Sequence, residues 1–362
     1  MSSGTQKQWT VGGKGGWQDL NLDEQAAIPE IGDKDVLVKF SAASLNYRDL
    51  AISQGKYPWP TKDGVVPLSD GAGVVESVGK HVHRFHEGDK VITLFNQGHL
   101  AGSLDAYSMT TGVGGTVDGA LRQYGAFDEN GLVHMPSNLD FLEGATLSCA
   151  GLTAWNALFG LKRLKPGDWV LTEGTGGVSI FALQFAKAAG AKVISTTSSK
   201  EKADRLIKLG ADHVINYKED AEWGVSAKKL TGDVGVQHIL EVGGPNTMKQ
   251  SLAAIAFDGV ISIIGFLGGF KGEKPPGFID CLTRICTVRG VLVGSRLQFE
   301  EMNRAIEANN IKPVVDEKVF SLEEAPDAYQ ASYLLPRPKA QSLTSTIVYV
   351  GSKALWQTLY KD

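Results

Sequence analysis

The sequence is short of several things that would decide its class at once. Its three cysteines, Cys149, Cys281 and Cys286, are an odd number with no CxxC pair in 362 residues. That excludes a disulfide framework and a clustered thiolate metal centre, and it suits a reducing, cytoplasmic setting. No stretch of about 18 apolar residues occurs, and Met1 to Val11 is polar, so neither a membrane span nor a secretory leader is expected. Charge of one sign is not in excess either: 36 lysines and arginines against 40 aspartates and glutamates leave −4. No basic face invites nucleic acid or an anionic membrane surface. Internal repeats and low-complexity linkers are missing too. A small, uncharged partner remains.

What is plentiful is glycine, 43 residues or about 12%, against roughly 7% in average proteins. Many tight backbone turns are therefore expected. Hydrophobic residues at 43% and charged residues at 21% are globular values, and the length divides into two units at roughly 100 to 200 residues each. From Asp35 to Val133 the chain reads as short strands of a small barrel: Val36 to Phe40, Gly73 to Val78 and Lys90 to Leu94, with Gly88-Asp89 as hairpin chemistry. After Pro136 a helical pattern runs from Asn138 to Leu161, capped by Asn138 or Asp140. Strands at 169–173, 192–196, 213–216, 236–241, 260–264 and 288–293 then alternate with helices such as Ile180 to Ala189 and Lys200 to Leu209, the latter closing on Gly210. The fold class is therefore α/β: a β-barrel domain at 1–138, completed by 311–362, and a doubly wound parallel-sheet domain at 139–310. Pro313 to Tyr349 reads as strand, helix, strand returning to the first domain, with Pro336-Arg337-Pro338 its least regular stretch.

Strand 169–173 runs directly into Gly174-Thr175-Gly176-Gly177-Val178-Ser179 and a helix. One glycine makes the turn, the next lets backbone amides approach a pyrophosphate, and the helix N-terminus favours its negative charge. Ser179, where a third glycine is usual, is small enough for close packing. About 20 residues on, where an NAD enzyme presents an acid, the chain reads Thr196-Thr197-Ser198-Ser199-Lys200-Glu201-Lys202. Hydroxyls and lysines there suit a 2′-phosphate. At about 1.5–3 kcal/mol per charge-assisted hydrogen bond, each such contact would favour NADP(H) about tenfold to a hundredfold. Gly243-Gly244, Ile264-Gly265-Phe266 and Leu292-Val293-Gly294 fall at strand ends, where such sheets place ligands.

Gly71-Ala72-Gly73-Val74-Val75-Glu76-Ser77-Val78-Gly79, followed by Val82, Phe85 and Glu87-Gly88-Asp89-Lys90-Val91, resembles the GroES-like signature of medium-chain dehydrogenases/reductases. Lys165-Pro166-Gly167-Asp168 and the 174–179 turn resemble the same superfamily's Rossmann cofactor half. The resemblance runs from about Asp35 to Ala328, and Leu334 to Ser345 departs from it. Asn46-Tyr47-Arg48-Asp49 and Gly55-Lys56-Tyr57-Pro58 are similar to its zinc-independent, quinone-oxidoreductase-like branch, alongside zinc-type alcohol dehydrogenase-like members. The resemblance implies Thr153 beside the nicotinamide, Lys202 and Tyr217 on the 2′-phosphate, and a homodimer formed through strand 288–293.

In zinc members of that superfamily two cysteines and a histidine hold the catalytic metal. Here Asn46 stands at the first cysteine, Leu68-Ser69-Asp70 replaces the histidine-glutamate step, and only Cys149 has a ligand-like place. Asn96 to Leu121, where a structural zinc lobe would lie, has no cysteine. Both zincs are expected to be absent. His81, His83 and His86 read as a solvated turn. Without a Lewis acid, a conjugated acceptor such as an enone, an enoyl group or a quinone is the easier hydride target, because hydrogen-bond donors can hold the charge that develops on its oxygen. Asn46 and Tyr57 are candidate donors, with Arg48 or Asp49 in the same helix start; the structural alternatives are a cap for Asn46 and loop packing for Tyr57. Phe95, Phe266, Phe270 and Trp59 suggest a partly apolar carbonyl substrate. The rival readings are a zinc-dependent alcohol dehydrogenase and a non-catalytic NADP(H)-binding sensor or structural protein.

Overall fold

The computed structural model describes residues 4–267, 276–333 and 345–349. The chain divides into two units, Met1–Ala150 with Gly294–Asp362, and Gly151–Val293. Pro336-Arg337-Pro338 and Phe270 lie outside the described residues.

The first unit opens with the hairpin β1 (Thr5–Val11) and β2 (Leu20–Ala27). It continues through β3 (Asp35–Leu45), α1 (Tyr47–Ser53), β4 (Asp70–Val78), β5 (Lys90–Thr93), α2 (Ala106–Met109), β6 (Tyr124–Asp128), β7 (Leu132–His134) and α3 (Phe141–Gly144). In β3 the alternating Val36, Val38 and Phe40 are buried while Lys39 faces out, the period of a half-buried strand. One edge of β3 pairs with β4, and the other is shared by β6 along residues 35–39 and a C-terminal strand along 42–45. Phe40, Leu68, Phe85, Leu121 and Leu132 fill the core.

The second unit carries α4 (Leu152–Phe159), β8 (Trp169–Glu173), α5 (Gly177–Ala188), β9 (Lys192–Thr197), α6 (Lys200–Lys208), β10 (His213–Asn216) and α7 (Trp223–Leu230). Then come β11 (Val236–Glu241), α8 (Met248–Ala254), β12 (Ile255–Ile263), α9 (Ile279–Arg284) and β13 (Thr287–Gly290). Its parallel sheet has the order β10-β9-β8-β11-β12-β13. Covered on both faces, its strands are near-continuous apolar runs, with Val170, Leu171, Val193, Ile194 and Ile261 all fully buried. The chain winds outward from β8 to β10, then returns to β11 beside β8. Ligands of such sheets bind outside the strand ends at that reversal.

The first unit resumes with α10 (Arg296–Ala308), β14 (Val315–Ser321), α11 (Ala325–Tyr333) and β15 (Ser345–Tyr349), and β15 pairs β14 with β3. Three details differ from the sequence reading. The helix expected over 138–161 is two short helices joined by a π-turn at Leu147–Gly151, the first capped by Asp140, whose side chain accepts from Glu143 N–H. The passages between units fall at 150/151 and 293/294 rather than 138/139 and 310/311. The second shift arises because α10 packs on the barrel: Asn303 Nδ2 donates to His134 O at 2.9 Å, and Ser137 N–H to Glu307.

Candidate active site

The second unit presents a cradle at the reversal. Gly174 leaves β8 in the left-handed region (φ +72°) and donates to Thr196 O at 3.0 Å. Gly176 caps α5 with ordinary extended backbone (φ −77°, ψ 170°). A Cβ built on either glycine would meet nothing within 4 Å, so the space over the helix N-terminus is open to a ligand's phosphates. Thr175, Gly177 and Val178 continue the turn, half-buried, and Ser179 is buried and donates to Glu173 O at 2.7 Å, tying α5 to β8. The residues present therefore fit a dinucleotide.

At the end of β9, Thr197 is buried and Ser199 caps α6, its Oγ accepting from Lys202 N–H at 3.3 Å. Ser198 and Lys202 are half-buried. Tyr217, 43% exposed, bonds through its N–H to Thr197 O at 3.0 Å, which brings it to the same corner. Glu201 faces Arg205 across 3.7 Å. At the other strand ends, Gly244 has φ +86° and Val293 φ +48°. Val293 O accepts from Asn156 Nδ2, and Ile264 N–H donates to Glu241 O. Gly243, Gly265 and Leu292 are half-buried, Phe266 is 36% exposed and Thr153 is buried. Gly294 belongs to the first unit.

The first unit holds a buried polar cluster built where β3 meets α1 and β4 begins. Asn46 is the N-cap of α1, and Asp49 Oδ2 accepts its backbone N–H at 2.8 Å. Arg48 donates from Nη1 to Val113 O at 2.9 Å, lies 3.4 Å from Asp49 Oδ1, and stacks over Phe95 and Tyr57. The Tyr57 hydroxyl is 3.5 Å from Arg48 Nε. Phe95 therefore packs beneath Arg48, 2% exposed, instead of facing a substrate, whereas Trp59 beside Tyr57 is 41% exposed.

Asp70 is fully buried; it accepts from Ser69 Oγ at 2.5 Å and from Cys149 N–H at 3.2 Å. Burial, opposed by the Ser69 hydroxyl and reinforced by the Asp49 charge, raises its pKa to about 7. Burial raises Asp49 to about 6 against the pull of Arg48, and also raises Tyr57. Asn46 Nδ2 is buried with no hydrogen bond of full geometry, and its amide faces Asp70 closely enough to favour the charged carboxylate. The cluster thus combines a buried amide donor, a phenol and a carboxyl that carries a proton near neutrality.

This donor set does not suit zinc. Asn46 offers an amide, Asp70 favours its neutral acid, and burial first, then Asp70, pushes the half-buried Cys149 thiol well up. Among the described residues no three His, Cys, Asp or Glu side chains converge on a metal position. His81, His83 and His86 are exposed on their turn, with His81 3.7 Å from Asp33.

Sequence reasoning missed Asp70 as a functional group. Its signal, Ser69-Asp70 before Gly71-Ala72-Gly73, was visible but informative only about metal ligation. Also missed were Glu173 and Glu241, buried acids that close β8 and β11.

The chain matches the family models described as alcohol dehydrogenase GroES-like domain, over residues 32–137, and zinc-binding dehydrogenase, over 177–308. A zinc-type alcohol dehydrogenase-like protein of Schizosaccharomyces pombe is 47% identical over 320 residues, 87% of this chain and 92% of that one. The chain belongs to the medium-chain dehydrogenase/reductase superfamily. It is an oxidoreductase with likenesses to both alcohol dehydrogenase and quinone oxidoreductase members. The quinone oxidoreductase of Sus scrofa is 29% identical over 323 residues, 87% of this chain and 90% of its own. A solved NAD-dependent alcohol dehydrogenase superposes with a TM-score of 0.83 at 28% identity, covering 95% of this chain and all of that one.

Proposed function

We propose that the chain is an NADP(H)-dependent reductase of conjugated carbonyl compounds or quinones that works without a metal ion. The observation that carries this reading is the buried Asn46 amide facing Asp70, a carboxyl poised to hold a proton at neutral pH. Gly174 to Val178 and the α5 N-terminus would hold the pyrophosphate, Thr153 would lie beside the nicotinamide, and Ser198, Ser199, Lys202 and Tyr217 would take the 2′-phosphate. The remaining cofactor contacts are assigned to Gly243, Ile264, Gly265, Phe266, Leu292, Val293 and Gly294. When bound, the reduced nicotinamide supplies hydride.

The protein's own part is to receive the charge that the acceptor oxygen develops. Asn46 Nδ2 and the Tyr57 hydroxyl donate hydrogen bonds to that oxygen, and Asp70 supplies the proton that completes the reduction. Asp49 anchors Arg48 and the start of α1, which fixes Asn46 and Tyr57 relative to each other. We also propose a cytoplasmic homodimer: β13 is an edge strand, and Phe278, Ile279, Leu282 and Ile285 beside it are exposed apolar side chains.

Rapid mixing with NADPH tests the reading against a panel of enones, quinones and saturated aldehydes. Conjugated acceptors should be reduced at least tenfold faster. Turnover confined to saturated aldehydes and alcohols would overturn it.

A further inference from the structure

Glu173 and Glu241 end the adjacent strands β8 and β11, whose register sets Leu240 against Thr172 and so brings the two glutamates side by side at the chain reversal. They are 5% and 0% exposed. Two charged carboxylates in one buried layer repel each other strongly. Between them stands Ser251 of α8, its Oγ 3.0 Å from Glu173 Oε1 and 2.6 Å from Glu241 Oε2. A hydroxyl has one hydrogen. It can donate to one of these oxygens only, so both contacts are hydrogen bonds when the other oxygen belongs to a carboxylic acid and donates to it.

The outer oxygens are already committed to amides. Glu173 Oε2 accepts from the N–H groups of Val242 and Gly243, both at 3.1 Å, and Glu241 Oε1 accepts from Gly244 N–H at 2.8 Å and from the Thr247 hydroxyl. We infer that Glu173 and Glu241 form an acid–carboxylate pair, bridged by Ser251, that keeps one proton through neutral pH and thereby fixes the three consecutive backbone amides of the turn after β11, beside the dinucleotide turn. They are positioning residues. Burial and the neighbouring Glu241 hold the Glu173 carboxyl well above its ordinary range.

The surrounding elements offer hydroxyls in place of counter-ions. α5 contributes Ser179 to Glu173 O, β9 contributes Thr196 to the Gly174 N–H, and α8 contributes Ser251, with its Lys249 exposed. On β11 the nearest ionisable neighbour is His238, which burial keeps neutral with a pKa lowered to about 4.

The inference rests on the dinucleotide reading only for its consequence, so the test separates the two. Urea unfolding without any cofactor is measured from pH 5 to 9 for the wild type, Glu173→Gln and Glu241→Gln. A glutamine at either place donates to Ser251 at every pH and removes the need for a proton. Wild-type folding takes up one proton over this range, because a free glutamate ionises near pH 4.3. Each variant's folding constant relative to the wild type should therefore rise about tenfold per pH unit. Ratios that stay flat for both variants would overturn the pair; two variants guard against one failing to fold. NADPH affinity, followed by fluorescence, should hold to higher pH in Glu173→Gln than in the wild type. Coincident affinity profiles would overturn the positioning role. Climbing stability ratios in a protein that binds neither NADPH nor NADH would leave the pair standing and sink the cofactor reading instead.

Discussion

Ser69 Oγ donates to Asp70 Oδ1 across 2.5 Å, yet Asp70 remains a weak acid with a pKa of about 7. The bond favours the charged form, and burial beside Asp49 outweighs it. In the unfolded chain the same carboxyl ionises at its ordinary 3.8. Between those values folding takes up a proton, so the residue's contribution to stability falls as pH rises through the window and is lowest above about 7. Asp70→Asn should be more stable than the wild type at pH 8, by on the order of 1–4 kcal/mol, with the difference shrinking toward pH 4. Urea midpoints at the two pH values measure it. The same variant should lose about 100-fold in kcat through the missing proton.

Asn46 serves two ends, capping α1 and presenting its Nδ2. Asn46→Ala should cost about 0.5–2 kcal/mol of stability through the cap and about 10- to 1,000-fold in kcat through the lost donor. NADPH affinity should stay within threefold, because the residue is assigned to the acceptor. Tyr57→Phe, which leaves the helix cap intact, should lower kcat without shifting the melting temperature. Steady-state kinetics beside thermal melts separate the two effects.

Gly176 offers a cleaner separation of fold from ligand. Its φ of −77° is ordinary and an added Cβ meets nothing in the protein, so Gly176→Ala should change stability by less than about 1 kcal/mol. The methyl group would fill the space assigned to the pyrophosphate, and dinucleotide affinity should fall more than tenfold. Titration by fluorescence quenching, paired with a melt, reads both.

Lys202 is half-buried at the start of α6, in the same corner as Ser198 and Tyr217. Lys202→Ala should weaken NADPH binding roughly tenfold to a hundredfold, the worth of one charge-assisted contact. NADH binding should change less than twofold. Equal losses for both cofactors would mean that the corner does not recognise a phosphate.

The sheet was legible because parallel strands buried on both faces have to be largely apolar. Trp169–Glu173 ends where the sequence turns to glycine, and Val236–Glu241 ends one residue before Gly243-Gly244. The allocation of α10 was not legible: an amphipathic pattern shows which face is buried, not against which partner. The π-turn before Gly151 is equally invisible to periodicity. In the site, Asn46, Asp49 and Tyr57 were nameable from the chain, whereas the protonation of Asp70 depends on burial first and on the Asp49 charge second, both supplied only by folding. Glu173 and Glu241 become neighbours only through the β8–β11 register, which no local pattern reveals.

The central claim is that hydride leaves a phosphorylated nicotinamide without help from a metal. The most direct measurement is the rate of NADPH oxidation by a quinone in enzyme dialysed against a strong chelator, with metal content determined on the same sample. The account predicts an unchanged rate in protein holding far less than one zinc per chain. A rate abolished by chelation and restored by stoichiometric zinc would contradict it.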